Sequence, residues 1–378
     1  MSRAYDVVLL GASGFTGALT AEYLAKNAPA ELKWAVAGRN QKKLEVFGKD
    51  VLHADVTDPK SLRALAESTK VVATTVGPYI QYGEPVVAAC ADAGTDYLDI
   101  SGESEFVDRM YVGYHERAVQ TGARIVHACG FDSIPYDLGV QYTVEQLPER
   151  VPIQVDGLLR VGGRPSGGTF HTAITALSRP KQNLDAHRAR RRAEPCPDGR
   201  KAGAVAGRIH RQQGFWAVPL PTIDPQIVGY SARLLDSYGP DFRYSHYAAM
   251  KRLPMVAGGI GAAGLLVTAA QVPPLRNALL SRLKPGEGPS PERRAKSWFN
   301  VRFVGRGGGK QVITEVAGGD PGYDETAKML GESALCLALD DLPKTAGQTT
   351  TAAAMGPALR NRLIAAGMTF GTISTDDY

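Results

Sequence analysis

The first 130 residues predict an α/β protein built on a parallel, doubly wound β-sheet. Two observations predict it: short apolar segments of strand length alternate with helix-like segments, and the first strand ends in a glycine-rich turn. Parallel strands need helical crossovers, so this alternation is typical of the class. Ligands of such sheets bind at the carboxyl ends of the strands, where we therefore expect the functional site.

The predicted elements follow one another in regular order. Strands are predicted at 7–10, 33–37, 50–55, 71–76, 97–100 and 124–128, and helices at 15–27, 58–67, 84–93 and 103–120. Pro59 follows Asp58 at the start of the second helix, where its missing N–H costs nothing. The pattern changes after Gly130, which indicates a second structural unit.

Residues 11–17 read Gly-Ala-Ser-Gly-Phe-Thr-Gly and join the first strand to the first helix. Gly11 permits the tight turn, Gly14 lets the backbone approach a pyrophosphate, and Gly17 lets the helix pack close to the sheet. The free N–H groups at the helix N-terminus can bind phosphate oxygens. The loop therefore predicts a dinucleotide site.

The second strand ends in Gly38, Arg39 and Asn40, where folds that prefer NAD commonly place a carboxylate. A carboxylate would repel a 2′-phosphate, whereas Arg39 offers a fork of donors that can pair with it. We therefore expect NADPH rather than NADH. The alternative is an ordinary solvated arginine.

Two further strand ends complete the predicted cofactor site. Asp55 could accept a hydrogen bond from the adenine amino group, with Val56 against the adenine ring; the alternative is that Asp55 caps a helix. The backbone at Gly77-Pro78 would pass close to the nicotinamide ribose; the alternative is an ordinary turn. The candidate cofactor-binding residues are Gly11, Ser13, Gly14, Phe15, Thr16, Gly17, Arg39, Asn40, Asp55, Val56, Gly77 and Pro78.

Charge is distributed unevenly along the chain. Residues 1–150 carry 14 Lys+Arg against 20 Asp+Glu, a net −6, whereas residues 151–378 carry 29 against 18, a net +11. The basic half could meet an acyl-carrier protein, a coenzyme A phosphate or a membrane surface, or could simply be solvated. The basic residues accompany no recognisable nucleic-acid module, so we expect no nucleic-acid partner.

Four cysteines, Cys90, Cys129, Cys196 and Cys336, are widely separated and predict neither a zinc site nor a disulfide framework. The N-terminus lacks the pattern of a secretory signal, so we expect a cytoplasmic protein. No metal site is expected.

The second half predicts strands at 155–161, 297–304 and 311–316 and helices at 326–339 and 353–366. Residues 179–211 hold ten Lys+Arg and predict a mobile basic surface loop. Residues 253–275 carry no charge, and three interpretations stay open. They are a buried helix at a dimer interface or pocket wall, an interfacial membrane contact at the inner face of the plasma membrane, and a true membrane span.

Several motifs together resemble the saccharopine dehydrogenase-like oxidoreductases, and within them the bacterial trans-acting enoyl reductases of polyketide and lipid synthesis. They are the glycine loop, Ala-Gly-Arg-Asn at 37–40, Val-Gly-Pro-Tyr at 76–79, Asp-Ile-Ser-Gly-Glu at 99–103, Gly-Phe-Asp-Ser-Ile-Pro at 130–135 and Gly-Asp-Pro-Gly-Tyr at 319–323. Residues 347–352 depart from the usual pattern.

The resemblance implies a Rossmann-type NADP-binding domain at 1–130, an inserted α+β substrate and dimerisation domain at 131–345, and a segment at 346–378 that packs back on the first domain. It further implies an NADPH-dependent reductase of an enoyl thioester, with a homodimer and an acyl-carrier protein or synthase as expected partners. Such a reaction needs a donor to the thioester oxygen and a proton for the α-carbon.

The catalytic candidates are Tyr79, Asp132 and Ser133. Ser133 or Tyr79 would donate to the carbonyl while Asp132 organises the loop; capping by the Asp132-Ser133 pair is the alternative. Tyr136 is a further donor, and His171 could be the acid or a structural residue.

Two other functions remain open. One is imine chemistry on an amino-acid-like substrate, for which Arg160 and Arg164 could bind carboxylates. The other is a non-catalytic membrane-associated protein that retains the nucleotide fold.

Overall fold

The computed structural model describes residues 3–163, 167–195, 197, 199–281 and 288–373. Its strands form two sheets. They are β1 (Tyr5–Leu10), β2 (Trp34–Gly38), β3 (Val51–His53), β4 (Thr69–Thr74), β5 (Asp96–Asp99), β6 (Arg124–Val126), β7 (Ile153–Gly162), β8 (Lys201–Ala204), β9 (His210–Gln212), β10 (Phe215–Pro219), β11 (Asp241–Met250), β12 (Trp298–Gly307), β13 (Lys310–Gly318), β14 (Gly347–Thr349) and β15 (Thr369–Ile373).

Helices cover both sheets and connect their strands. They are α1 (Phe15–Asn27), α2 (Pro59–Ser68), α3 (Tyr79–Tyr82), α4 (Glu84–Ala93), α5 (Ser104–Thr121), α6 (Ile134–Val144), α7 (Gly167–Ser178), α8 (Pro180–Ala193), α9 (Asp224–Leu234), α10 (Leu253–Gln271), α11 (Pro273–Leu280), α12 (Pro291–Arg294), α13 (Asp324–Leu339), α14 (Thr351–Ala354) and α15 (Gly356–Ala365).

The first sheet has the strand order β14-β6-β5-β4-β1-β2-β3, and all its pairings are parallel. Side chains alternate across it: Val7 and Leu9 of β1 join one core with α1 and α13, and Val8 and Leu10 join the other with α2, α4 and α5. Strands buried on both faces read as continuous apolar runs, which explains why they were visible in the sequence. The predicted α/β, Rossmann-type doubly wound sheet is confirmed.

The second sheet is mixed, with the order β15-β13-β12-β7-β11-β10-β9, and β8 pairs with β11. The predicted strands at 297–304 and 311–316 are β12 and β13, an antiparallel hairpin that turns at Gly308 and Gly309. Helix α6 packs against β12 and β13, and α9 packs against β11. Helices α6 and α9 therefore cover parts of the second sheet.

Chain order and layer do not coincide near the C-terminus. Helix α13 comes from the predicted 131–345 domain, yet it packs on α1 and on strands of the first sheet. Strand β14 extends the first sheet beside β6, whereas β15 extends the second beside β13. Residues 374–378 of the predicted C-terminal segment lie outside the described residues.

The mobile basic loop predicted for 179–211 is wrong for most of its described length. Residues 180–193 form α8, which packs on α5, and β8 and β9 follow. The anchor is Arg190, whose side chain is 3% exposed and whose guanidinium carbon lies 3.4 Å from the centre of the Tyr230 ring. Arg190 also contacts Asp108 at 3.6 Å and Glu194 at 3.4 Å. A dense basic run looks solvated in sequence, but one arginine of it is held in the interior.

Candidate functional site

The glycine loop joins β1 to α1 at the carboxyl edge of the first sheet. Gly11 has φ +96°, and a Cβ there would lie 2.8 Å from Val76 Cγ2. A Cβ on Gly17 would lie 2.2 Å from the Gly11 carbonyl oxygen. Both positions therefore require glycine, one for backbone conformation and one for close helix packing, as the sequence predicted.

Gly14 differs from the other two glycines because its surroundings are open. A Cβ there would meet only the Gly11 carbonyl oxygen, at 3.5 Å. Gly14 occupies the N-cap of α1, and both Ser13 and Gly14 are exposed. The amides of Phe15, Thr16 and Gly17 are in the first turn, where a helix has no carbonyl partner for them. This geometry fits a pyrophosphate on the helix N-terminus.

Phe15 links this loop to the second half of the chain. Its ring lies edge-on to Tyr323, with the ring centres 4.9 Å apart. The Tyr323 hydroxyl accepts a hydrogen bond from the Gly167 amide at 3.1 Å, at the start of α7. The guanidinium of Arg294 lies over the Phe15 ring, 5.5 Å from the ring centre. Helix α7 is thereby fixed beside the predicted cofactor.

Arg39 and Asn40 are both exposed at the end of β2. The Asn40 side chain accepts from the Lys43 amide at 3.3 Å and caps a short helical turn. The Asp55 carboxylate Oδ1 accepts from the Thr57 amide at 2.9 Å and from its hydroxyl at 2.8 Å. These bonds, with the nearby charge of Arg39, hold the pKa of Asp55 below its usual value. Within the described chain no donor contacts Asp55 Oδ2, and adenine binding there stays a prediction.

The residues of the segment after β4 differ in their exposure to solvent. Gly77 is exposed and Pro78 and Val56 are partly exposed, so these three remain available to a cofactor. Tyr79 is buried; its hydroxyl donates to the Thr74 carbonyl at 3.0 Å and accepts from the Ile100 amide at 3.4 Å. The Tyr79 hydroxyl is therefore engaged inside the core, and donation by Tyr79 to a substrate stays a prediction that this placement does not support.

Asp132 lies where the loops after β5 and β6 meet α7. A Cβ on Gly102 would lie 3.0 Å from Asp132 Oδ2 and 3.3 Å from Thr172 Cγ2. The carboxyl is partly buried, and none of the described residues donates a hydrogen bond to it. Burial raises the pKa of Asp132 to about 6. An unpaired carboxyl with such a pKa can hold and release a proton near neutral pH.

Ser133 follows Asp132 at the N-cap of α6. Its side chain makes no capping hydrogen bond, and its hydroxyl is buried without a partner among the described residues. The alternative that this pair only caps a helix is therefore not what the structure shows. Donation by Ser133 to a substrate oxygen stays a prediction.

Behind Asp132 lies a buried cluster of Asp224, His246, Tyr244 and Tyr136, of which only Tyr136 is a candidate from the sequence. His246 Nδ1 and the Tyr244 hydroxyl are 2.9 Å apart, and His246 Nε2 lies 3.7 Å from Asp224 Oδ2. Burial lowers the pKa of His246 to about 3, so the imidazole is neutral. Burial, together with the charge of Asp132, raises the pKa of Asp224 well above its usual value.

Two atoms of this cluster, Asp224 Oδ1 and His246 Nε2, lack hydrogen-bond partners in the described structure. The Tyr136 ring stands edge-on to His246, with ring centres 4.8 Å apart, and its hydroxyl is a buried donor candidate. Residues 132, 224 and 246 are far apart in sequence: β7 to β10 of the second sheet lie between 132 and 224, and the rest of α9 lies between 224 and 246. The motif around Asp132 is visible in the sequence, whereas Asp224 and His246 are recognised only by their proximity in space.

Asp99, which is not a functional candidate from the sequence, fixes the loop that carries Asp132. Its Oδ1 accepts from the amides of Ser101 at 3.0 Å and Ala128 at 2.9 Å. Its Oδ2 accepts from the Tyr97 hydroxyl at 3.0 Å and lies 2.6 Å from His127 Nδ1. Ala128 has φ +59°, so β6 stops at Val126 rather than at the predicted 128.

Of the two arginines that imine chemistry could use to bind a carboxylate, only Arg160 lies in the described part of the chain. The Arg160 guanidinium lies between Phe215 and Trp298, 4.9 and 5.4 Å from their ring centres. Arg164 and Cys196 lie outside the described residues. His171 is a partly buried residue of α7. Among the described residues no cluster of three or more His, Cys, Asp or Glu could hold a metal.

The described residues fit a nicotinamide dinucleotide. The tight turn at Gly11, the open backbone at Gly14 and the free helix amides would hold its phosphates at the edge of the sheet. From there α7 extends toward Asp132: Gly167 and Thr172 are five residues apart, about 7.5 Å along a helix. A nicotinamide bound at this edge would therefore lie in the region between the loop and Asp132.

Three comparisons agree with this geometry. The saccharopine dehydrogenase NADP-binding domain matches residues 7–126. A Mycobacterium tuberculosis protein, provisionally described as a trans-acting enoyl reductase, is 38% identical over 98% of each chain. A Mycobacterium bovis protein described as a trans-acting enoyl reductase is 35% identical over 98% of each chain.

A solved structure shows the same fold at low sequence identity. Saccharopine dehydrogenase (L-Glu forming) from Saccharomyces cerevisiae superposes with a TM-score of 0.56 at 13% identity, covering 98% of this chain and 100% of that one. The glycine loop, the parallel sheet and the similarity over the whole length agree. The chain belongs to the saccharopine dehydrogenase family of NADP-binding oxidoreductases.

Proposed function

We propose that this protein is an NADPH-dependent enoyl reductase that reduces the C=C bond of an enoyl thioester, with Asp132 as the proton donor. Relatives described as trans-acting enoyl reductases support the reaction class. The observation that carries the assignment of the donor is the unpaired, partly buried carboxyl of Asp132 beside the predicted cofactor site.

Bound NADPH would supply the hydride that adds to the β-carbon of the enoyl group. The electron pair of the C=C bond then takes a proton at the α-carbon, and Asp132 gives up that proton and regains one from water. Negative charge develops on the thioester oxygen during this step, so a hydrogen-bond donor there lowers the barrier. Ser133 and Tyr136 are the donor candidates that remain, because the Tyr79 hydroxyl is used in the core.

Environment explains why Asp132 suits this role. An ordinary exposed aspartate would be almost fully ionised at neutral pH, whereas a carboxyl with a pKa of about 6 keeps a usable fraction of its acid form. The buried carboxyl of Asp224 and the neutral imidazole of His246 lie behind Asp132, and neither is a cation that would lower the pKa of Asp132. A general acid of this kind contributes about 10²- to 10⁴-fold in rate.

The preference for NADPH rests on the end of β2. Arg39 is exposed, and the residues beside it in sequence, Gly38 and Asn40, carry no charge that would repel a 2′-phosphate. A guanidinium can pair with that phosphate through two N–H groups. The net +11 of residues 151–378 suits an acidic or phosphorylated acyl carrier as the donor of substrate.

Isotope labelling tests the proposed reaction directly. The protein is incubated with a crotonyl thioester and NADPH that carries deuterium at C4, and in parallel with unlabelled NADPH in D₂O. We expect cofactor deuterium at the β-carbon and solvent deuterium at the α-carbon of the saturated product. Oxidation of NADPH with an imine-forming pair of substrates but not with the enoyl thioester would overturn the proposal.

A further inference from the structure

Helix α10 is an apolar helix that lies on the surface of the molecule. Among the described residues it is the one helix long and apolar enough to cross a membrane, yet only 12% of its most apolar 18-residue stretch is buried in the protein. Val256 and Ala270 face the protein, whereas Leu265 is 74% and Leu253 56% exposed. The helix packs mainly on α7, with further contacts to α11, β10 and β11, and most of its residues stay exposed. Large exposed apolar patches mark interaction sites.

The charged residues that flank α10 in the sequence are all basic. Between residues 250 and 281 the chain contains no Asp or Glu, and the uncharged helix is flanked by Lys251, Arg252 and Arg276. A two-fold contact with a second copy would bring this patch against itself and place cations beside cations. An anionic lipid surface matches both the apolar centre and the basic ends.

The topology decides between lying on a membrane and crossing it. Strand β11 ends at Met250 and β12 begins at Trp298, and both ends align with the Gly162 end of β7, the strand between them. One crossing by α10 would put these two ends on opposite sides of the bilayer. A second crossing would be needed, and α11 has only eight residues. The helix is therefore placed to insert along the interface.

The same helix adjoins the candidate active site through α7. The Gln271 side chain of α10 donates to the Leu177 carbonyl near the end of α7. Toward its start, α7 carries Thr172 beside Asp132 and Gly102. A surface that bound α10 would therefore lie within one helix length of the Asp132 carboxyl.

We propose that α10 binds the protein to anionic membrane surfaces, with its exposed apolar side in the interfacial layer of the bilayer, and that the thioester substrate has a lipophilic acyl chain that lies in that layer beside α7. The membrane contact stands on the exposure, charge and topology of α10. The identity of the substrate rests in addition on the proposed enoyl reductase function.

Vesicle flotation tests the contact. The full chain is mixed with phosphatidylcholine vesicles, with or without phosphatidylglycerol, at low and high salt. We expect flotation with the anionic vesicles that weakens with salt. Leu265→Asp should reduce the apparent affinity at least tenfold, and Lys251→Glu should reduce it selectively for anionic vesicles. The matched control is Val46→Asp, an equally exposed apolar position, at 80%, on the first domain.

The outcomes separate this proposal from its alternatives and from the enoyl reductase proposal. Equal flotation of the wild type and Leu265→Asp, or no flotation with anionic vesicles, would overturn the membrane contact. A wild-type dimer in sedimentation that Leu265→Asp converts to monomer would assign the patch to a second copy instead. Turnover of a soluble short-chain enoyl thioester without vesicles should be the same in wild type and Leu265→Asp, and its absence in both would count against the reductase function alone.

Discussion

Two carboxylates near the same edge of the first sheet, the buried Asp99 and the partly buried Asp132, have opposite surroundings. Asp99 receives hydrogen bonds from the Ser101 and Ala128 amides and contacts Tyr97 and His127. Asp132 receives none from the described residues. A carboxyl that is withdrawn from much of the solvent and has no hydrogen-bond partner destabilises the fold, which indicates that it is kept for another use. The comparison indicates that Asp99 holds the scaffold while Asp132 is kept free for a reacting molecule.

The largest expected effect comes from Asp132→Asn, which keeps the shape of the side chain but removes its proton. We expect the rate of enoyl thioester reduction to fall about 10²- to 10⁴-fold, while NADPH binding measured by fluorescence titration stays unchanged. Asp92→Asn, on the surface beside Arg117, is the control. A rate near that of the wild type would remove Asp132 as the donor.

The pH dependence sharpens the same test. Because the acid form of Asp132 is the active one, kcat/KM should fall as pH rises above about 6, and Asp132→Asn should lack this limb. The free energy of unfolding should depend on pH in the same direction. Because folding raises the pKa of Asp132 from 3.8 to about 6, the contribution of its protonated form to stability is complete below pH 3.8 and is lost as the pH rises through 6. Asp132→Asn should therefore be about 1–3 kcal/mol more stable than wild type at pH 8, with the gain closing toward pH 4.

Asp99→Ala should act on stability instead. It leaves the buried Ser101 and Ala128 amides without an acceptor, and we expect a loss of about 3 kcal/mol in the free energy of unfolding, measured by urea denaturation. Asp99→Asn retains one oxygen for these amides and should lose less. The surface change Asp92→Ala should cost under about 1 kcal/mol. A stable Asp99→Ala protein would break the contrast between the two carboxylates.

The smallest effect concerns the cofactor. Arg39→Ala should weaken NADPH binding about tenfold and leave NADH binding unchanged, because only NADPH carries the 2′-phosphate. Arg63→Ala, whose side chain is 71% exposed on α2, serves as the control. Calorimetric titration with both coenzymes decides it, and equal losses for NADPH and NADH would show that Arg39 does not read the phosphate.

Local patterns were sufficient for the first sheet and its glycine loop. Strand–turn–helix units are close in sequence, so Gly11, Gly14 and Gly17 each had a predictable task that the geometry of the loop now supports. The basic segment misled for the opposite reason. Its sequence is polar, but Arg190 is stabilised by Tyr230 and Asp108 from distant elements, and no local pattern contains that information.

The catalytic candidates divide in the same way. Tyr79 follows a strand end, as an active-site residue would, but its hydroxyl turned inward to the Thr74 carbonyl. Asp132 was singled out by its motif, yet its lack of partners and its pKa depend on packing. Asp224 and His246 carried no sequence signal, because the buried cluster that they form behind Asp132 depends on contacts between segments that are distant in sequence.

The sequence by itself determined the doubly wound sheet, the phosphate-binding loop and the positive residue at the end of β2, because hydrophobic period, glycine spacing and charge act over a few residues. Tertiary structure decided which carboxyl is paired and which is free, that one arginine of a basic run is buried, and that an uncharged helix faces outward. These depend on burial and on contacts between remote segments, which fix the environment and hence the chemistry of a side chain.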